Sequence, residues 1–577
     1  MRFICLLLGA MCVASCQCST PADGGSDGGG GPVGGSGSRC SALFDPCTTS
    51  DGCCTGLSCD NGSCRTPPTG ECGLNSLMCN GVCSVVLTDP ANCGGCGRAC
   101  GTGQVCLSGA CVATSNCPQS TTACMGQCVD LSSSNQFCGS CSASAACGPG
   151  QGCSQGSCVE TVPLNSGGVQ CAGGGPPVMV TGDAGTMCSA NIAQVTFRWA
   201  LCSCTNISAS SMFKTDGFDS TRPYVDGGSL LGAGVGANGA YSASSGFDIG
   251  GTGWIGGTGG VNISTASDFR QELHVNGQCS GGESRVGSNA YINGNVSDLT
   301  IGGTLFVPSI GNVGSGVNAA AGTTFGPVSV PPPCDCANSQ LIDVAGIVNH
   351  GSMVNDNAAI GLSPTAMAGS GARRLDLPCG RYYLTEITPN ASATIAVHGR
   401  TALFVGGNIS LSNDLDLLID PNAELDIYIG GNVSASSGLK FGSTIVPAQL
   451  RVYIAGNTVS MSSGALLAGN FYMPWANYGP SANIDIYGSI FCKSFSTSSE
   501  FNMHYDRGVL TVGRECAASS NPDGGSAPDA GSSGCSSCRD CGNQACVNNQ
   551  CSACTSDSQC CAPLLCVGGV CQSVIIN

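Results

Sequence analysis

Residues 402–408 (ALFVGGN), 425–432 (LDIYIGGN) and 450–457 (LRVYIAGN) decide the fold of this chain. In the second stretch Leu425, Ile427 and Ile429 alternate with Asp426 and Tyr428; in the third Leu450, Val452 and Ile454 alternate with Arg451 and Tyr453. Period-two alternation marks half-buried strands, and Ile484 and Ile486 around Asp485 continue it. Each strand ends on Gly-Asn, at Asn408, Asn432 and Asn457, an advance of 24 and then 25 residues, and Tyr291 to Asn295 (YINGN) has the same ending upstream. Spacing of this kind predicts solenoid coils, with glycine permitting the corner and asparagine either adopting left-handed backbone or stacking in a ladder. Residues 161–515 are therefore expected to form a β-solenoid, like a right-handed parallel β-helix. A β-sandwich of aligned hairpins is the other arrangement the alternation allows. Residues 227–260 are so rich in glycine that they read as loops or poorly formed strands, and 471–478 (FYMPWANY) reads as an inserted aromatic loop.

On both sides of this body the chain is rich in cysteine, 46 in 577 residues. Cys72, Cys79, Cys83, Cys93, Cys96, Cys100, Cys106 and Cys111 share their spacing, apart from one gap, with Cys117, Cys124, Cys128, Cys138, Cys141, Cys147, Cys153 and Cys158. Two eight-cysteine repeats follow, at 72–113 and 117–160. C-x2-C pairs also suit zinc, but four histidines in the whole chain and an even cysteine count in every block favour disulfides. A six-cysteine unit at 40–65 is echoed near the C-terminus, where CTSDSQCCAPLLCVGGVC at 554–571 matches CTTSDGCCTGLSCDNGSC, within a cysteine-rich module at 535–572. Units of about 25 residues bury too little apolar surface to fold alone, so bridges worth about 2–4 kcal/mol each must hold them. Such bridges persist outside the reducing cytosol.

The N-terminus agrees. Residues 1–15 have a basic start, a short apolar run from Ile4 to Val13, and Val13-Ala14-Ser15-Cys16 at a cleavage position. That run is too short to span a membrane, which takes about 20 residues. Residues 16–39 and 517–534 are Gly/Ser-rich, the first a tether of about 25 Å mean reach. Net charge is −17, with 10% of residues charged; this excludes nucleic acid as a natural partner.

Two aromatic groups are candidates for ligand contact. Phe404, Tyr428, Tyr453 and Tyr487 would form an outward file at about 4.8 Å per coil, suited to stacking on sugars or to being covered by another element. Trp475 in the aromatic loop is the other. The carboxylates Asp414, Asp416, Asp420, Glu424 and Asp426 could form a catalytic pair or a calcium site, but Asp414 and Asp416 read as alternate solvent positions of one strand. His504-Tyr505-Asp506 has no G-x-S-x-G elbow to supply a nucleophile; the one such string, Gly24 to Gly28, falls in the tether. No catalytic residue, metal ligand or cofactor is assigned, and the chain is read as a non-enzyme.

Val13-Ala14-Ser15-Cys16 resembles a bacterial lipobox, which implies acylation of Cys16, as by palmitate, and a membrane anchor; Gln17, not aspartate, follows, as in outer-membrane sorting. The vicinal-cysteine units resemble knottin-like and Dickkopf-type modules. Together with Asp89 to Cys96 (DPANCGGC) and the PDGG and PDAG linkers, they resemble large cell-surface lipoproteins of the myxobacterial type. Residues 464–510, closing on His504-Tyr505-Asp506, resemble an uncharacterised extracellular domain family of such proteins. What the resemblance implies is an outer-membrane lipoprotein at the cell surface, with a structural or adhesive role toward polysaccharide or a cell-surface partner. A polysaccharide-processing β-helix enzyme and a cysteine-rich binding or inhibitor protein are the alternatives.

Overall fold

The computed structural model describes, apart from short internal gaps, residues 76–164, 175–220, 232–512 and Cys516. It also describes Gln559 and the strand pairs Ser58–Asp60 with Ser63–Arg65, Ala545–Val547 with Gln550–Ser552, and Leu565–Val567 with Val570–Gln572. The leader, Cys16, the tether, the 517–534 linker and the bridges expected of Cys72 and Cys83 lie outside the described residues.

Residues 201–506 form the β-solenoid expected from the Gly-Asn periodicity. Its coils carry up to three short strands, and each strand stacks in parallel and in register on its counterpart one coil away. Glu424–Ile429, for example, lies between Arg400–Val405 and Leu450–Ile454. Sandwiches are built from antiparallel pairs, so the parallel ladder disposes of that alternative. Alternation does the rest. Leu403, Ile427, Val452, Phe471 and Ile490 fall in one register and are buried, each worth about 1.5–3 kcal/mol.

The Gly-Asn endings work by close approach. A Cβ at Gly431 would collide with Asn408 Oδ1 and Gly407 O, and one at Gly456 with Gly431 O. The asparagines form the ladder: Asn432 N–H donates to Asn408 Oδ1 at 2.8 Å, and Thr458 N–H to Asn432 Oδ1 at 3.0 Å. Upstream the coils are tighter, with asparagine bonds reaching 17–20 residues along the chain instead of 24. The glycine-rich stretch, where described, is regular coil. Val235–Ala237, Tyr241–Ala243, Phe247–Ile249 and Gly253–Ile255 are strands, because glycine at 250, 251 and 257 lets backbones pack within van der Waals reach of the previous coil. The expected aromatic loop is likewise part of a long strand, Leu466–Tyr478.

The chain does not climb the solenoid from one end. Leu201–Ser203, Ile207–Ala209 and Phe213–Phe218, first in sequence, pair on one side with 235–249 and on the other with the last strands, Ile484–Thr497 and Phe501–Asp506. From this seam the chain runs outward to Thr323–Phe325. A strap at 326–343 then returns along the outside to helix α2 (Val344–Met353) and helix α3 (Asn357–Ile360), and coils resume at the far end with Arg373–Leu377 before running back to the seam. Cys202–Cys334 and Cys204–Cys336 fix the strap to the first coil, and Cys188–Cys516 joins the flanks. Helix α1 (Ser189–Thr196) packs beside the seam.

The second cysteine repeat docks on the solenoid. Arg374 donates from Nη1 to Cys153 O at 2.7 Å and Ser133 O at 3.0 Å, Thr394 Oγ1 donates to Ser154 Oγ, and Val162 N–H bonds Arg374 O.

Candidate functional site

The outward residues of one face form a continuous register. From the seam it runs through Phe491, Tyr472, Tyr453, Tyr428, Phe404 and Tyr383 in one direction. In the other it runs through Gly236, Trp254, His274, Tyr291 and Phe306. Ring centroids are 5.7 Å apart for Phe404–Tyr428 and 4.8 Å for Tyr428–Tyr453; Trp254, His274, Tyr291 and Phe306 follow at 3.9, 4.5 and 4.6 Å, stacked with nearly parallel planes. The expected file is therefore real, but two of its particulars need correction.

First, its members differ. Tyr487 lies on another face, stacked at 4.6 Å on His504; Tyr472 and Phe491 occupy the places assigned to it, because the final strands cross a corner without a break. Second, Phe404, Tyr428 and Tyr453 are fully buried and offer no face to a sugar. Helix α2 covers the strands of Phe404 and Tyr428: the Phe404 ring lies on the backbone of Gly351, where a Cβ would overlap it. Ile342 N–H donates to Tyr472 Oη at 2.9 Å, and Phe197 packs 5.8 Å from Tyr453. On the other half Pro331 O accepts from Trp254 Nε1 at 2.8 Å. The rings also cover one another's faces, leaving edges outward. Trp475, by contrast, is 45% exposed.

The acidic group divides among three structural tasks. Glu424 and Asp426 are buried around Arg451, which is 1% exposed and donates to Asp426 at 2.7 and 2.8 Å and to Glu424 at 2.7 Å. Burial alone would raise Glu424, yet Arg451 and Arg400 hold it below the usual carboxylate range. With Val178 and Ser189 these groups line a space of about 10 Å³, about one water's room. Asp420 pairs with His398 Nδ1 at 2.8 Å while Asp376 takes Nε2 at 2.9 Å, so three coils are bridged through one imidazole whose pKa these carboxylates raise to about 9. Asp414 accepts from Gly438 N–H in the next coil. Asp416 corrects the solvent-facing expectation. It is 2% exposed beneath the second cysteine repeat, where burial, opposed by Lys440 and reinforced by Asp130 and Asp414, pushes its pKa up to about 6.

His504-Tyr505-Asp506 closes the seam. His504 Nδ1 bonds Asp216 Oδ1 at 2.8 Å, Tyr505 Oη donates to Phe197 O at 2.7 Å, and Asp506 accepts from Ser220 N–H, Ser220 Oγ, Gly508 N–H and Ala448 N–H at 2.7–2.9 Å. Each residue reaches across the seam to a segment at least 286 residues earlier. Asp506 is completely buried, and burial raises its pKa to about 6 despite four donors. The triplet is a clasp.

Among the cysteines, 79–96, 93–106 and 100–111 are bonded in the first repeat, and 117–128, 124–141, 138–153 and 147–158 in the second, the shared register giving shared pairing. In the body the even count misleads: Cys279 and Cys492 are free and buried, and burial raises both thiols, Cys279 to about 12. Sequence reasoning missed Arg451, Asp216 and Phe197; the alternation at Asp426, Arg451 and Glu424 was visible, but nothing local announces what covers them.

A family described as a domain of unknown function (DUF7305) matches residues 344–511, from helix α2 through the clasp. No curated protein and no solved structure matches the chain.

Proposed function

We propose that this chain is a non-enzymatic lipoprotein of the outer-membrane surface, acylated at Cys16, that presents its solenoid for adhesion to polysaccharide or neighbouring cells. A β-solenoid with cysteine-rich modules fits a structural or binding role. The observation that carries the reading further is the direct docking of the second repeat on the solenoid through Arg374 and Thr394, which would hold the body in a fixed orientation relative to that repeat. Asp414, Asp420, Glu424 and His504 bond neighbouring coils or the seam, and Asp416 is buried beneath the cysteine repeat. No helix among the described residues is long and apolar enough to cross a membrane, so attachment would fall to acyl chains, of which two or more give stable anchoring.

The test is metabolic labelling with an alkyne palmitate, followed by fractionation. The wild-type chain should carry label and sediment with outer membranes, and Cys16→Ser should lose both. An unlabelled chain in the medium would defeat the anchor. Cells displaying the chain should gain attachment to polymer without releasing reducing ends; release would favour the hydrolytic alternative.

A further inference from the structure

The two ends of the solenoid are finished differently. At one, Arg373–Leu377 is covered by the bridge from Thr161 and by the Val162 N–H bond to Arg374 O, and Gly380–Leu384 is covered by α2 and α3. At the other, Asn318–Ala319 and Thr323–Phe325 each register on one neighbour, and among the described residues nothing pairs with their outer edge. Gly322 O and Gly326 N–H pair inward with Leu305 and Val307, so strand alternation turns the N–H and C=O of Thr323 and Phe325 outward. All three residues of Thr323–Phe325 are exposed; Phe325 is 48% and Ile310 73% exposed.

Charge singles out this end. In a chain of net charge −17, no charged residue occurs from Leu299 to Cys334. Proteins usually guard an open strand edge with lysine, proline or an inward charge, and Thr323–Phe325 has none. Two acidic chains repel over much of their surface; here the last coil itself carries no charge, with Asp298 beneath Gly316 in the coil below, while unpaired backbone and apolar side chains are presented together.

We propose that this open end is a homotypic interface, joining the last coil of one copy to the last coil of a second. Because the opposite end is capped, a head-to-tail contact that would grow into a filament is blocked, leaving an isologous, closed dimer. A two-fold axis across the solenoid axis sets the facing strands antiparallel, so Thr323–Phe325 meets its own counterpart. The pairing does not depend on the surface location proposed above; its use as a contact between displayed chains does.

Sedimentation velocity of the mature full chain over about a hundredfold range of concentration decides it. The expected result is a monomer–dimer equilibrium. Phe325→Asp, which sets a carboxylate opposite Thr323 of the second copy on each side of the axis, and Thr323→Pro, which removes an outward N–H, should each weaken it at least about tenfold with unchanged circular dichroism. Met353→Asp, on the exposed side of α2, should leave it intact. A monomer at every concentration, as when residues 535–577 or another partner occupy the end, overturns the proposal; so does a dimer indifferent to both substitutions.

Discussion

Arg451→Met asks what the buried charges beneath the 178–190 segment contribute. The guanidinium is 1% exposed and makes two bonds to Asp426, one to Glu424 and one to Ala448 O. Methionine fills most of the volume but leaves Asp426 without its cation, whereas Glu424 keeps Arg400. Removing one member of a buried pair costs about 3–5 kcal/mol. At roughly 2–4 °C per kcal/mol for a cooperative unit of 150–250 residues, the melting temperature at pH 7 should fall by about 10 °C. Glu424 is held below its ordinary pKa, so its contribution is complete above that ordinary value and fades only as pH falls through the lower folded one; the loss should therefore be full at pH 7. Arg451→Met with Asp426→Leu replaces the pair by apolar groups and should recover most of the loss. Scanning fluorimetry gives the temperatures, and hydrogen exchange should show weakened protection at 178–190. A single variant that loses less than about 1 kcal/mol, or a double variant worse than the single, refutes the reasoning.

The clasp and the docked repeat give two more expectations. Asp506→Ala strands the buried Ala448 and Gly508 N–H groups and should cost about 2–4 kcal/mol, against about 1 kcal/mol for Tyr505→Phe, which orphans Phe197 O; urea unfolding of Asp506→Ala should separate into two transitions, and a single unshifted transition would remove the clasp from the account. Burial raises the Asp416 pKa to about 6, above its unfolded value near 3.8, so docking of the second repeat is penalised above pH 6 and strengthens as pH falls from 6 toward 4. Exchange protection at 130–134 and 153–154 should follow that curve; Asp416→Asn should flatten it, with Asp130, Asp414, Lys440 and Arg374 unchanged as the facing charges, and a curve that survives assigns the effect elsewhere.

The solenoid was legible because its signal is local: alternation between Leu425 and Ile429 and the interval from Asn408 to Asn432 require nothing outside the repeat. The glycines between 232 and 260 misled because their role is collision avoidance with the neighbouring coil, a non-local demand that composition also associates with loops. Tyr428 and Tyr453 were found, and covering was foreseen as one outcome, but helix α2 over Tyr428 and Phe197 against Tyr453 lie more than 70 residues upstream and carry no mark of their target. Asp416 looked solvent-facing for the same reason: strand periodicity separates inside from outside, and the second cysteine repeat occupies that outside. The thiols of Cys279 and Cys492 defeated counting, since an even total is also reached by pairs plus two residues buried as small apolar side chains.

The seam explains why this body needs sulfur chemistry that most solenoids could do without. Coils normally find their neighbours next in sequence, and each addition costs little loop entropy. Here the first coil, 201–218, has one flank open until residues 484–506 arrive, and an unpaired parallel edge exposed through synthesis invites mispairing. Cys202–Cys334 and Cys204–Cys336, each closing 132 residues, restrict the strap before the second half of the solenoid has to dock; closure of that length takes about 5 kcal/mol from the unfolded ensemble. Cys188–Cys516 then locks the flanks after docking. With these bridges reduced, the seam would rest on strand pairing, the His504-Tyr505-Asp506 clasp and side-chain contacts such as Phe213 against Phe495 and Phe501, so the large domain, and not only the small modules, gains stability from disulfides that a reducing compartment would remove.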